Sequence, residues 1–287
     1  MATAHVTGRD VEMFSALDRC PLTVRQLRLL SLTFAAAFGS DRRLQDRLAL
    51  LARAGLLRRF RYASTEGSGQ FYYTLSPESY RLLHGPDAIL PTSGVFQEIG
   101  VARQLHSMRL ADFIVHTRLA AFHADIPLAD FHRENQLRLT LGPESLYPDC
   151  SFTLTAPGRP PFLFYVELDN STEPLTSPKE RDSWQRKLRL YEALQDAAAA
   201  RFRVLGLVTR SQQRLTNIAA LAAGMTRNPH RSLFYGVYLP TYLASPTPLT
   251  LPLFTDHRGG ASSLLPAPLK LDRTPKRPRS LAEPVLT

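Results

Sequence analysis

The chain has 287 residues, enough for two modest domains or one large one, and 44% hydrophobic residues allow a real core. Its 35 Lys and Arg against 25 Asp and Glu leave a net charge of +10 and a pI near 10.0. That field draws polyanions, nucleic acid first among them. Two cysteines exclude a disulfide framework, and no apolar run is long enough to cross a membrane, so a soluble protein of the cytoplasm is expected.

The first elements are short. A helical segment is expected over Asp10 to Asp18, and Thr23 caps a second helix with Leu27, Leu30 and Phe34 at helical spacing. After Gly39, Ser40 is an N-cap for a third helix reaching about Ala54, with Leu44, Leu48 and Leu51 on one side. The other side opens with Arg42, Arg43, Gln45 and Arg47. Gly55 stops this helix. Two strands, 56–62 and 70–75, flank a polar turn, and Ser76 with Pro77 begins another helix.

Three helices and a hairpin in that order predict a winged helix over residues 1–84. The start of its third helix would enter the major groove, where Arg and Gln make bidentate contacts with guanine and adenine. Arg42, Arg43, Gln45 and Arg47 are therefore the candidate base readers. Arg25 and Arg28, with Arg58, Arg59 and Arg61 near the wing, are candidate phosphate contacts. A solvated polar helix face, or a winged helix used for protein contact, is the alternative. The clustering of cations where a duplex would lie favours DNA.

Residues 85–94, with two prolines and two glycines, read as a linker. A long helix is expected from about Val95 to Phe122, then strands over Glu134 to Leu141, Asp149 to Thr155 and Phe162 to Asp169. A helix over about Pro178 to Ala200, a strand over 202–208, a helix over Gln212 to Ala223 and a strand over Leu233 to Leu239 complete a mixed sheet with helices on its faces. This second domain spans 95–244. From Ser245 to Thr287 the chain is proline-rich, and basic around Lys270 to Arg279, so it reads as a disordered tail.

Chemistry concentrates on the acids. Alternation along a strand puts Glu167 and Asp169 on one face, and Asp149 opens the neighbouring strand. Three carboxylates at adjacent strand ends make a candidate Mg2+ pocket, with Glu134 and Glu98 as further members. His106, His116, His123 and His132 show no zinc-ligand spacing and read as surface or partly buried histidines. Phe71, Tyr72 and Tyr73 read as wing-strand core more than base-stacking groups, and Trp184 as a residue packed on the sheet. No phosphate-binding glycine loop, dinucleotide fingerprint or nucleophile elbow is present.

Pro148-Asp149, Glu167 and the helix, three strands, helix, strand order resemble the PD-(D/E)XK nuclease superfamily. That resemblance implies a restriction-endonuclease-like α/β domain and a Mg2+-dependent site. The superfamily's lysine, two residues after the second acid, is here Asp169; Lys187 or Lys179 on the next helix is the replacement within reach. If the site is active, Asp149, Glu167, Asp169 and Lys187 are its catalytic residues, and the first three its metal ligands.

Leu22-Thr23-Val24-Arg25-Gln26-Leu27, Tyr147-Pro148-Asp149, the run Phe164 to Glu173, Lys187 and Tyr191 resemble the replication-relaxation family over roughly residues 20–240. This implies a DNA-associated role in plasmid or mobile-element replication, relaxation or transfer, beside a replication or relaxase protein. The missing lysine favours a degenerate nuclease-like domain that supports a DNA-binding protein. A Mg2+-dependent endonuclease is the second reading, and a winged-helix repressor with a dimerisation or sensing domain the third.

Overall fold

A computed structural model describes residues 4–63, 69–177, 183–198, 200–228 and 230–265. It is a mixed α and β structure with one large mixed sheet and smaller ones beside it. The wing tip 64–68, Lys179 and the basic stretch Lys270 to Arg279 lie outside the described residues.

The N-terminal part comprises α1 (Gly8–Arg19), β1 (Leu22–Thr23), α2 (Val24–Leu30), α3 (Asp41–Arg53), β2 (Leu57–Arg61), β3 (Phe71–Leu75) and α4 (Pro77–His84). Its helix starts follow from polar caps. Thr23 and Gln26 bond each other's backbone N–H across the first turn of α2, Ser40 accepts from Arg43 N, and Ser76 precedes Pro77. Leu44, Leu48 and Leu51 are buried along one side of α3. The strands pair in the order β1-β3-β2, all antiparallel.

The larger part comprises α5 (Val101–His123), β4 (Leu128–His132), β5 (Leu139–Leu141), β6 (Glu144–Leu146), β7 (Cys150–Leu154), β8 (Phe162–Asp169), α6 (Trp184–Ala197), β9 (Phe202–Val208), α7 (Gln212–Met225), β10 (Phe234–Tyr238), α8 (Leu239–Ala244), β11 (Phe254–Asp256) and β12 (Ala261–Ser262). The seven-stranded sheet runs β12-β11-β10-β9-β8-β7-β4. β8, β9 and β10 are parallel and joined by α6 and α7, whereas β7 and β11 pair antiparallel on either side.

Alternation along β8 divides the core. Phe164, Val166 and Leu168 pack with α5, α8 and the N-terminal helices, while Tyr165 packs with Trp184, Tyr191 and the α6–α7 layer. Gly206 lets the second layer approach closely: a Cβ there would come within 2.6 Å of the Phe234 ring.

The structure differs from the sequence expectations in several places; the long helix expected from Val95 starts at Val101, and Phe34 lies beyond α2, which ends at Leu30. The strand expected over Glu134 to Leu141 is β5 alone, preceded by a turn with Asn135 at φ 62°, and the unexpected β4 lies upstream. The stretch read as a linker ends in a helical turn, Ser93–Phe96, whose Phe96 is buried against the N-terminal part. Residues 245–265, read as tail, fold back: β11 pairs with β10, and Leu249, Phe254, Leu264 and Leu265 enter the core. Scattered apolar residues there found partners distant in sequence, and composition alone did not reveal them.

Candidate functional site: a charged cluster at the strand ends and a basic groove

The C-terminal end of β8 meets the start of β7, and charged groups from both layers converge there. Glu167 is 1% exposed and turns toward α6. Tyr191 Oη donates to its Oε1 at 2.7 Å, and Lys187 Nζ lies 2.9 Å from its Oε2. Lys187 and Tyr191 stand one turn apart on α6, so one helix face presents both. Lys187 also donates to Glu173 at 2.9 Å.

Burial pushes the Glu167 carboxyl up to about 7, because the nearby Lys187 charge offsets only part of the desolvation. Burial works against the charge on Lys187, but the carboxylates of Glu167, Asp149 and Glu173 outweigh it and hold the ammonium above its ordinary value. The contact between Lys187 and Glu167 Oε2 is close but lacks hydrogen-bond alignment, so that oxygen is buried with unused acceptor capacity.

Asp149 precedes β7. Its backbone N–H extends the ladder to Val166 O at 2.9 Å, and its Oδ2 accepts from Leu168 N at 2.6 Å. Its Oδ1 faces His106 Nε2, on α5, at 3.1 Å. Glu134, in the turn after β4, is 3.8 Å from the same nitrogen and accepts from Arg103. Burial raises Asp149, but the close His106 ring and its charge outweigh burial and leave the carboxyl below its usual range. His106 is the converse: burial lowers it, and Asp149 and Glu134 together raise it. Glu134 is raised by burial and by the Asp149 charge. Ligand-type atoms of His106, Glu134 and Asp149 all lie within 4.8 Å of one another.

Asp169 does not join them. It shares the α6-facing side with Glu167, but its carboxylate accepts from Trp184 Nε1, Arg214 and Ser171 N, and its side chain is fully buried. Among the described residues the close group of ligand-type atoms is His106, Glu134 and Asp149, whereas the Asp169 carboxylate is engaged by those three donors. Glu98 also falls away, lying exposed ahead of α5. His106, read from sequence as a bystander, enters instead. A lone histidine carries no spacing signal; its partners arrive from separate elements far along the chain.

The nine basic-face residues divide. Arg25, Arg42, Gln45 and Arg59 line one groove of about 530 Å3 between α3 and the β2–β3 hairpin, together with Thr23, Gln70, Phe71 and Tyr73. Arg59 stacks over Phe71 at 4.6 Å, and Arg61 adjoins the same ring at 5.4 Å. Arg42 pairs with Asp46 one turn on, at 3.1 Å, an exposed contact of little strength. Arg28 approaches Asp41 at 3.6 Å, and Arg58 donates to Phe96 O.

Arg43 and Arg47 lie on the far side of α3, in a separate groove. Arg47 is committed there, bonding Asp10 and His5 O. The ridge expected along the start of α3 is thus split by its own helix.

No helix among the described residues is long and apolar enough to cross a membrane. The fold and its two charged regions define a mixed-sheet α and β protein with an acid-rich centre at parallel strand ends. The model of the replication-relaxation family matches residues 18–210, more than half of the chain, and the protein belongs to that family. No curated protein and no solved structure matches it significantly.

Proposed function

We propose that this is a DNA-binding protein acting in plasmid or mobile-element replication, relaxation or transfer. Residues 1–84 form a winged helix that reads duplex DNA, 85–94 the connection, and the following α/β domain a nuclease-like support. The observation that carries this reading is the groove holding Arg25, Arg42, Gln45 and Arg59. The order of α1, β1, α2, α3, β2 and β3, with β1 beside β3, supports the winged-helix assignment. Arg42 and Gln45 at the start of α3 serve base edges, and Arg25, Arg59 and Arg61 serve phosphates. Arg43, Arg47 and Arg58 are demoted, because they face away or bond within the protein.

A gel-shift titration of the full chain on duplex DNA tests it. Replacing Arg25, Arg42 and Arg59 together by alanine is expected to weaken binding by roughly two orders of magnitude. The same change should lower the slope of log affinity against log salt by about 0.9 for each phosphate that is no longer neutralised. Unchanged affinity and slope would sink the assignment.

One observation favours the second reading, a metal-dependent DNA endonuclease of the PD-(D/E)XK type: Lys187 Nζ lies 2.9 Å from the Glu167 carboxylate. α6 thereby supplies the lysine that Asp169 displaced. His106, Glu134 and Asp149 are a donor set suited to a divalent cation, which when bound orients water and offsets charge on a phosphate. Lys187, kept cationic by three carboxylates, would stabilise that phosphate, and Tyr191 would hold Glu167 in place. Metal-dependent nicking of supercoiled plasmid, abolished by Asp149→Ala and by Lys187→Ala, is the expected result; shifted but intact DNA returns the support role.

A further inference from the structure

We infer that His106, Glu134 and Asp149 form a cation site with one nitrogen and two carboxylate donors, selective for a first-row transition ion such as Mn2+ over Mg2+. This names the ion of the nuclease-like reading, and it rests on that reading only for what the ion would do.

Three features carry it. The donors come from three separate elements, α5, the turn after β4 and the start of β7, yet their ligand atoms lie within 4.8 Å of one another. His106 Nε2 faces both carboxylates, at 3.1 and 3.8 Å. A ring nitrogen aimed between two acids becomes a metal donor when an incoming cation displaces its proton. Finally, Asp149 is held in orientation from behind by Leu168 N at 2.6 Å, the outer support that metal-binding carboxylates need.

The nitrogen sets selectivity. Mg2+ is hard, keeps its waters and favours oxygen ligands, whereas imidazole suits the borderline transition ions. Arg103 now answers Glu134, but its side chain is 58% exposed, so it can swing into solvent when a cation takes its place.

The test uses the full chain without DNA and follows uptake of MnCl2 by electron paramagnetic resonance. Expected are one saturable site at submillimolar Mn2+, competition by MgCl2 only at concentrations some hundredfold higher, and nitrogen coupling to the bound ion in spin-echo spectra. His106→Gln should weaken Mn2+ uptake at least tenfold. Absence of a saturable site, an oxygen-only ion, equal competition by Mg2+, or a His106→Gln chain that binds as the wild type does would each overturn the inference. The nitrogen coupling is read on the unaltered protein, so a variant that fails to fold leaves the test intact. Mn2+ bound through nitrogen without plasmid nicking keeps the site and removes the nuclease reading; nicking with an oxygen-only ion does the reverse.

Discussion

Asp10 sits in the first turn of α1 with 1% of its surface exposed. Its Oδ2 accepts from Thr7 N and Oγ1 at 2.7 and 2.6 Å, and Arg47 donates to both oxygens. Burial alone would raise its carboxyl, but the bonds from Arg47 and Thr7 outweigh burial and depress it. A group depressed in this way contributes stability above its unfolded value, 3.8 for an ordinary aspartate, and loses that contribution as the pH falls through the folded value. Asp10→Asn is therefore expected to cost about 1–2 kcal/mol at neutral pH, between the values for exposed and fully buried pairs, since Arg47 loses its counter-charge but keeps access to water. Denaturant unfolding should show the deficit shrinking as the pH is lowered past the carboxylate range. A constant deficit, or none, would show that Arg47 does not lean on this carboxylate. The same pair explains why an arginine on the expected DNA face is a structural one.

At the scale of elements, much was legible. β8 and β9 occupy the expected residues 162–169 and 202–208, because continuous apolar runs bounded by turn residues leave few other options. The starts of α2, α3 and α4 follow from Thr23, Ser40 and Ser76. In the sequence Lys187 is only the replacement lysine within reach and Tyr191 only part of the family resemblance; the contacts of both with Glu167 come from the structure. What sequence concealed has a common cause. β4 is a half-buried strand, with Asp130 at φ 48°, and so lacks the apolar alternation of a strand. His106 becomes informative only after α5 is laid against the end of the sheet. Residues 245–265 read as tail because proline masks four core residues.

That last segment carries its own consequence. β11 covers the edge of β10, Arg203 donates to Leu264 O, and Leu249, Phe254, Leu264 and Leu265 are buried in the same core as Tyr242. Burying a large apolar side chain contributes roughly 1.5–3 kcal/mol. Four of them approach the whole net stability of a typical domain, about 5–15 kcal/mol. A chain ending at Ser245 should consequently lose its cooperative thermal transition and aggregate through the uncovered β10 edge. A truncated chain that melts as sharply as the full one, followed by circular dichroism, would rule out this role.

Across the whole molecule the basic groove and the acidic centre share one body. Gln26 Nε2 donates to Asp112 Oδ1 at 2.8 Å, Arg133 donates to Asp18, and Ala63 N to Gln104 Oε1 at 2.6 Å, each bond joining the N-terminal part to the sheet domain. One apolar core runs from Met13 on α1 to Leu265. A second groove shares Thr23, Arg25 and Gln70 with the basic one and continues along α5 past Arg109, which pairs with Asp112 at 3.7 Å. The vector from α3 to His106, on that same α5, is then fixed by packing and not by a tether. Unfolding should be correspondingly all-or-none: calorimetry of the full chain is expected to give one peak whose calorimetric and van't Hoff enthalpies agree. Two resolved peaks would mean that the parts melt independently. The contacts of Gln26 and Arg133 would then be incidental, and the spacing between the basic groove and the acidic centre would be set by flexibility.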